Sequence, residues 1–252
     1  MANVTVCPNS KHIELPCVFM VDWRQPITWL RSGWNDFKST WTYSLALGSV
    51  FALLGYGLTR LAWSNWHIAL TLTTGFLLVS PFLAIGFYEL SRRREGDLDK
   101  TISPRENLAS IGLFAALLMF IFSVWERISA IVLGMYLGPR PVPDASLSWL
   151  FSAENWGFLL AFVAVGAVLA AFTFALSVVS VPMLMDRRVD LVTAIISSLY
   201  VVRLNPLAMA VWAMIIVVAM AIGIATAFIG LAVIFPVLGH ATWHAYRELI
   251  ER

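Results

Sequence analysis

The sequence has very little charge for its length. Only 13% of its 252 residues are Asp, Glu, Lys or Arg, while 60% are hydrophobic and the mean hydropathy is +0.79. Since a soluble domain carries about 25% charged residues, this composition excludes a soluble protein and predicts a membrane protein with several crossings. The chain also lacks a dense basic patch of the kind that binds nucleic acid.

Residue types that form catalytic and metal sites are scarce as well. The chain has four His and two Cys. It has no phosphate-binding loop, no GXSXG nucleophile elbow and no CXXC pair. It also has no pair of acidic residues inside an apolar run, the arrangement that suggests a proton relay. We therefore expect no enzymatic activity and no bound cofactor.

The first 25 residues are polar and lack the basic start and apolar stretch of a cleaved signal peptide. We expect residues 1–25 to form a polar cytoplasmic segment and residues 26–252 to form one transmembrane helical domain. Cys7 and Cys17 lie in the first segment. Because the cytosol is reducing, we expect no disulfide between them.

A long uncharged run indicates how often the chain crosses the membrane. Residues 204–246 contain no Asp, Glu, Lys or Arg, and as one helix they would extend about 64 Å, roughly twice the hydrocarbon core. We therefore place a turn within residues 223–230. The resulting fold class is an all-α membrane bundle of about six transmembrane helices in three hairpins, with spans near residues 41–59, 67–90, 107–125, 156–181, 206–222 and 231–246.

The basic residues are distributed unevenly across this topology. With six crossings, fourteen of the seventeen Lys and Arg fall on one side, and only Arg60, Arg127 and Arg140 fall on the other. Five crossings would give twelve against five. Because short cytoplasmic loops carry an excess of Lys and Arg, we expect six crossings with both termini in the cytoplasm.

Two amphipathic segments are expected to lie along the membrane surface. The first follows Pro26 and carries apolar residues on one helical face, namely Ile27, Leu30, Trp34, Phe37 and Trp41. The second begins at Asp190, a residue type typical of a helix N-cap, and carries Leu191, Ile195, Leu199 and Val202 on one face. We expect Trp29, Trp34 and Trp41 to contact the membrane surface or a partner protein.

Four motifs resemble a known family. They are WLRSGWNDF, PFLAIGFYELSRR, SVVSVPMLMDRRVDLVTA and FPVLGHATWHAYREL. Over about residues 22–250 the chain resembles bacterial integral membrane proteins catalogued as domain of unknown function 2189. The resemblance implies a multi-pass protein of the bacterial inner membrane and no established activity.

Members of that family are sometimes labelled cytochrome oxidase subunit I. That catalytic subunit needs about twelve helices and a set of His ligands for two haems and a copper. The four His of this chain cannot supply those ligands. The chain is therefore not that subunit, although it can accompany one.

His240 and His244 are four residues apart, so they share one helical face and can bind the same metal or haem. The predicted topology places them on the same side as Cys7, His12 and Cys17, which makes a composite metal site one interpretation. The other interpretation is the polar end of a membrane helix, where Trp, Tyr and His are common. We favour the second.

Glu126 and Arg127 follow the third predicted span and also have two interpretations. If the helix continues to Tyr136, both charges lie near membrane depth, where ionisable residues are costly. We favour a span that ends at Trp125, because about 19 residues already cross the core. The charges then lie at the outer interface, available to a partner, and residues 128–137 form a separate surface helix.

These features lead to two hypotheses of function. The first is a non-catalytic accessory or assembly subunit of a larger bacterial inner-membrane complex, respiratory or otherwise redox-active, such as one associated with cytochrome oxidase. The alternative is a small multi-pass transporter or channel. It is suggested by the similar segments SPFLAIGFYELSR and FPVLGHATWHAYR, which indicate a possible internal repeat, and by hydroxyl residues within the spans.

Overall fold

The computed structural model describes residues 5–7, 15–61, 66–95, 107–137 and 152–251, and these ranges are mostly helical. The predicted all-α class is confirmed, with one pair of two-residue strands in the described ranges. The elements are β1 (Thr5–Val6), β2 (Val18–Phe19), α1 (Gln25–Ser39), α2 (Trp41–Leu61), α3 (Trp66–Leu83), α4 (Ile85–Arg94), α5 (Leu108–Leu137), α6 (Trp156–Ser177), α7 (Ser180–Asp186), α8 (Leu191–Leu204), α9 (Pro206–Ala225) and α10 (Leu231–Leu249).

Five segments of the described residues are long and apolar enough to cross a membrane. They are Trp41–Arg60, Thr71–Arg94, Leu108–Tyr136, Trp156–Asp186 and Pro206–Ala225. They correspond to the first five predicted spans. The second span is interrupted at Ala84, shortly after Pro81, since proline removes a backbone donor and crowds the preceding turn.

The sixth predicted span, α10, differs from the other five. It follows a turn at residues 226–230, inside the segment where a turn was predicted, with positive φ at Ala227 (52°) and Phe228 (69°). Its carboxyl half carries polar and charged residues, so α10 is not among the five spans that qualify by length and composition. It instead lies in the centre of the bundle, packed against α1, α2, α4, α7 and α9.

Two glycines allow α10 to pass close to its neighbours. A Cβ atom on Gly33 of α1 would lie 2.6 Å from both the amide nitrogen of Ala241 and the carbonyl oxygen of Val237. A Cβ atom on Gly48 of α2 would overlap the carbonyl oxygen of Ala232. Because no larger side chain fits at these positions, the two glycines hold α1 and α2 against the central helix.

The continuous helix α5 shows that the predicted end of the third span at Trp125, followed by a separate helix over residues 128–137, was wrong. The helix runs for 30 residues without a break at Trp125, and both charged side chains are exposed. Residues 128–137 contain no proline and continue the helix instead of forming a separate one. At 1.5 Å per residue α5 is about 45 Å long, which exceeds a hydrocarbon core of about 30 Å.

Helix α1 has a buried face and an exposed face. One face is buried against α9 and α10 and includes Trp29, which is 1% exposed and packs edge-on against Trp212 with 5.9 Å between ring centroids. Trp34 on α1 and Trp41 at the start of α2 are 45% and 60% exposed. The prediction of a membrane- or partner-facing side chain is therefore wrong for Trp29, because that side chain fills the interior of the bundle.

The amino-terminal segment contradicts the expectation of free thiols. Cys7 and Cys17 form a disulfide next to the antiparallel pair of β1 and β2. Val18 also pairs with Ile250 just after α10. The cysteine side chains, ten positions apart, are brought together by the antiparallel pairing of Val6 with Val18, which the spacing of the cysteines alone does not reveal.

Helix α8 begins directly after Asp190, the residue predicted as its N-cap. The carboxylate of Asp190 accepts hydrogen bonds from the amides of Val192 (3.1 Å) and Thr193 (3.4 Å). The hydrogen bond from the Thr193 hydroxyl has the largest effect on the pKa of Asp190. Together these bonds hold that pKa below its usual value, although burial acts to raise it.

Candidate functional site

A ring of buried hydrogen bonds joins four helices at the end of the bundle where both chain termini lie. We call it the Asp36 ring, and it consists of Asp36, Thr40, Ser44, Ser91 and His240. Ser91 Oγ donates to Asp36 Oδ2 at 2.6 Å and lies 2.7 Å from His240 Nδ1, while His240 Nε2 lies 2.9 Å from Ser44 Oγ. The Thr40 hydroxyl lies 2.9 Å from Ser44 Oγ and 2.8 Å from the Asp36 carbonyl oxygen, so its single proton can be donated to either of them.

The donors and acceptors of the ring determine how its protons are placed. Since Ser91 donates its only proton to the Asp36 carboxylate, its oxygen must accept from His240 Nδ1. In a neutral imidazole Nε2 then accepts from the Ser44 hydroxyl. Each side chain of the ring therefore has a partner, which is what a buried polar network requires.

Two side chains, His244 and Arg94, contact Asp36 from the outer side of the ring. Its Oδ2 atom lies 2.9 Å from His244 Nε2, and its Oδ1 atom forms an ion pair with Arg94. Burial alone would raise the pKa of Asp36, but hydrogen bonds from His244 and Ser91, together with the charges of His244 and Arg94, outweigh it and hold the pKa below its usual value. Asp36 is thus a carboxylate at neutral pH.

A second polar group ties the carboxyl ends of α4, α7 and α10 together. Asp186 accepts a hydrogen bond from the Tyr246 hydroxyl at 2.7 Å and pairs with Arg247 at 3.1 Å. Arg247 also pairs with Glu95 at 3.0 Å. The carboxyl ends of the three helices therefore meet at one end of the bundle.

Glu248 fixes the start of α1 to the end of α10. Its two carboxylate oxygens accept hydrogen bonds from Gln25 Nε2 and Trp29 Nε1, each at 2.6 Å. These bonds explain the burial of Trp29, because an indole N–H inside a protein needs an acceptor.

Of the predicted His pair, His240 fits neither interpretation. His240 is 0% exposed and bonded on both ring nitrogens, so it is neither an interfacial side chain nor a free metal ligand. His244 is bonded to Asp36. In the described residues neither imidazole lies in a metal-binding group with Cys7 or Cys17, and His12 is outside those residues.

The Asp36 ring contains the residue types of a hydrolase triad but not its geometry. Ser91 stands between the imidazole of His240 and the carboxylate of Asp36. Ser44, the hydroxyl nearest to His240 Nε2, is 0% exposed, so a substrate carbonyl cannot reach it in this conformation. The arrangement is suited to fixing the helices to one another.

Sequence reasoning missed Asp36, Ser44 and Ser91 as parts of a site. It assigned Asp36 to the polar side of the amphipathic helix. The available indication was spacing, because Asp36 lies seven residues after Trp29 and three after Gly33, and residues at these separations share one helical face.

Long apolar helices, interhelical hydroxyl bonds and a buried polar end define the chain as a polytopic helical membrane protein. Residues 69–186 match the model of the family described as predicted integral membrane protein, DUF2189. This match confirms the resemblance seen in the sequence, over a shorter range than residues 22–250; it includes PFLAIGFYELSRR but neither WLRSGWNDF nor FPVLGHATWHAYREL. No curated protein and no solved structure matches the chain.

Proposed function

We propose that the protein is a non-catalytic accessory or assembly subunit that binds a larger complex of the bacterial inner membrane. The supporting observation is the far end of the hairpin of α5 and α6, which we call the hairpin tip. Its exposed apolar residues are Ile131, Met135, Tyr136, Trp156 and Leu160. The three residues on α5 follow the exposed charges Glu126 and Arg127, which lie about 17 Å before the end of α5.

The position of these charges creates a conflict that a partner protein resolves. If the hairpin tip lies in lipid, exposed Glu126 and Arg127 lie inside the hydrocarbon core, at a cost of roughly 2.5–3.5 kcal/mol for a charge at its centre. If the charges lie at the interface, the apolar hairpin tip is left in water. A large exposed apolar surface rich in aromatic residues and Met is typical of a protein interface.

The hydroxyl residues within the spans support this proposal over the transporter alternative. Thr59 and Thr73 are hydrogen-bonded at 2.8 Å and join α2 to α3, while Thr71 and Ser129 are bonded at 3.0 Å and join α3 to α5. Ser180 donates to a carbonyl of α8 at 3.0 Å. These side chains hold the bundle together, whereas a transport pathway needs polar groups that face a wet cavity.

Site-specific photocrosslinking in native membranes tests the proposal. A photoreactive side chain at Met135 is compared with one at Ile229; both positions are 77% exposed, and Ile229 lies in the turn between α9 and α10, at the same end of the bundle as the hairpin tip. We expect a discrete protein adduct from position 135 that position 229 does not give. Equal labelling at both positions would argue against a partner at the hairpin tip.

Native electrophoresis after gentle solubilisation provides a second test. The variant Met135→Ala with Tyr136→Ala should shift the chain from a high-mass species to the free subunit, while Ile229→Ala should not. The proposed respiratory or other redox partner requires haem, flavin or iron–sulfur absorption in the high-mass species. A colourless complex would exclude that class of partner and leave the accessory role in place.

A further inference from the structure

Cys7, Cys17 and Glu251 form a compact group of potential metal ligands at the joined ends of the chain. The two sulfur atoms and a carboxylate oxygen of Glu251 all lie within 4.8 Å of one another. Val18 pairs with Ile250, and the amide of Glu251 donates to the carbonyl of Cys17 at 3.0 Å. The backbone therefore places one cysteine and the acidic residue side by side before any metal binds.

The rest of the protein holds this group in place. The guanidinium of Arg187 donates to the carbonyl oxygen of Glu251 and, at 3.0 Å, to the Tyr246 hydroxyl. Asn205 accepts a hydrogen bond from the amide of Val21 at 2.8 Å and donates to the carbonyl of Phe19 at 3.1 Å. Strand β2, which follows Cys17, and the residues that follow α10 are thus anchored to the helical bundle.

We propose that Cys7, Cys17 and Glu251 bind a Zn²⁺ ion when the disulfide is reduced. Two thiolates and one carboxylate are established zinc ligands, and three protein ligands leave the fourth tetrahedral position for water. The disulfide occupies both sulfur atoms, so the oxidised chain has lost two of its three ligands. The site therefore exchanges a covalent link for a metal ion according to the redox conditions.

The redox step balances with a dithiol as the reductant. One thiolate of the dithiol attacks a sulfur of the disulfide, and a second attack releases both cysteines as thiols while the dithiol becomes a disulfide. Zn²⁺ then binds the two sulfurs and displaces their two protons. Cys7 is exposed, so the attacking thiolate can reach it.

This site differs from the composite site considered from the sequence. The ring nitrogens of His240 are bonded to Ser44 and Ser91, and His244 is bonded to Asp36. Zinc binding at the chain ends therefore leaves the Asp36 ring intact.

Zinc titration of the full-length protein in detergent tests the proposal. The chain is reduced with a dithiol, freed of the reductant and titrated with Zn²⁺ against a chromophoric chelator. We expect one Zn²⁺ per chain after reduction and none in the oxidised chain. Co²⁺ in place of Zn²⁺ should give thiolate charge-transfer absorption.

Three variants identify the ligands. Cys7→Ser should abolish zinc binding. Glu251→Gln should weaken zinc binding by at least roughly 10- to 100-fold, because changes to residues that only support a metal ligand already weaken binding by that factor. Glu154→Gln, at an exposed acidic residue elsewhere in the chain, should bind as the wild type does. Zinc binding that is equal in the oxidised chain or in Cys7→Ser, or absent from the reduced wild type, would overturn the proposal.

Discussion

Replacing Asp36 with Asn should release α1 from the centre of the bundle. The wild-type carboxylate accepts hydrogen bonds from Ser91, His244 and Arg94. An Asn side chain keeps the shape but offers one acceptor atom, and its amide group faces other donors. Ser91 and His244 both bond to Oδ2, so an Asn oxygen in that place keeps these two bonds only as weaker hydrogen bonds to an uncharged acceptor, and the Asn amide group then faces the Arg94 guanidinium.

The expected cost follows from the burial of these groups. A hydrogen bond to a charged group contributes about 1.5–3 kcal/mol, and removing one partner of a buried charge pair costs about 3–5 kcal/mol. Arg94 is 42% exposed and can turn to water, so its contribution is discounted. We expect a loss of about 3 kcal/mol, which corresponds to roughly 100-fold more frequent opening of α1.

Hydrogen exchange of residues 25–39 in detergent measures this opening directly. The matched control is Asp22→Asn, which changes an exposed carboxylate just before α1 that accepts a hydrogen bond from the amide of Arg24. The control should change protection by less than about 0.5 kcal/mol. If Asp36→Asn protects α1 as well as Asp22→Asn does, the Asp36 ring does not hold the helix.

The same variant tests how the protection of α1 depends on pH. Because the pKa of Asp36 in the folded protein lies below 3.8, its usual value, the stabilisation is fully present above pH 3.8. It is lost as the pH falls through the folded-state pKa. After correction for intrinsic exchange rates, wild-type protection of α1 should fall on acidification while that of Asp36→Asn stays nearly flat. A wild-type profile as flat as that of the variant would contradict this role for the carboxylate.

The remaining predictions concern the contacts at the end of the bundle that holds the Asp36 ring. Gly33→Ala should cost about 1–3 kcal/mol by overpacking α1 against α10, whereas Gly57→Ala, with open space around its Cα, should be neutral or slightly stabilising in thermal unfolding. Trp29→Phe should cost about 1.5–3 kcal/mol through its lost bond to α10, and Trp212→Phe less, since its indole N–H has no hydrogen-bond partner in the described residues. Asn205→Ala should make residues 15–22 more sensitive to limited proteolysis at unchanged helix content.

Features that depend on local sequence were predicted well. The apolar segments are long enough to specify five spans, the turn at residues 226–230 falls where Gly-flanked residues were expected to break the run, and Asp190 caps α8. Each of these depends on the properties of fewer than about 25 neighbouring residues, as spans and caps do generally.

Features that depend on distant residues were not predicted. His240 contacts Ser44 and Ser91, which are 196 and 149 positions away, and His244 contacts Asp36 across 208 positions. Helical spacing identified the shared face of the two His residues but not what lies opposite them. The burial of α10 reverses the usual expectation, since a membrane helix end with His, Trp and Arg normally indicates an interface.

The disulfide and the charge distribution give opposite indications of how the protein is oriented in the membrane. The basic residues near the carboxyl ends of α4, α7 and α10 lie at one end of the bundle. The disulfide between Cys7 and Cys17 lies at the same end. An excess of Lys and Arg indicates the cytoplasm, whereas a permanent disulfide indicates an oxidising compartment. A cysteine pair that is reduced in the cytoplasm and then binds Zn²⁺ agrees with both the excess of basic residues and the adjacent cysteines, because the sulfur atoms stay adjacent in either state. Thiol labelling in intact cells separates the two orientations: protection from an impermeant reagent and reactivity with a permeant one, after metal removal, would place this end of the bundle in the cytoplasm.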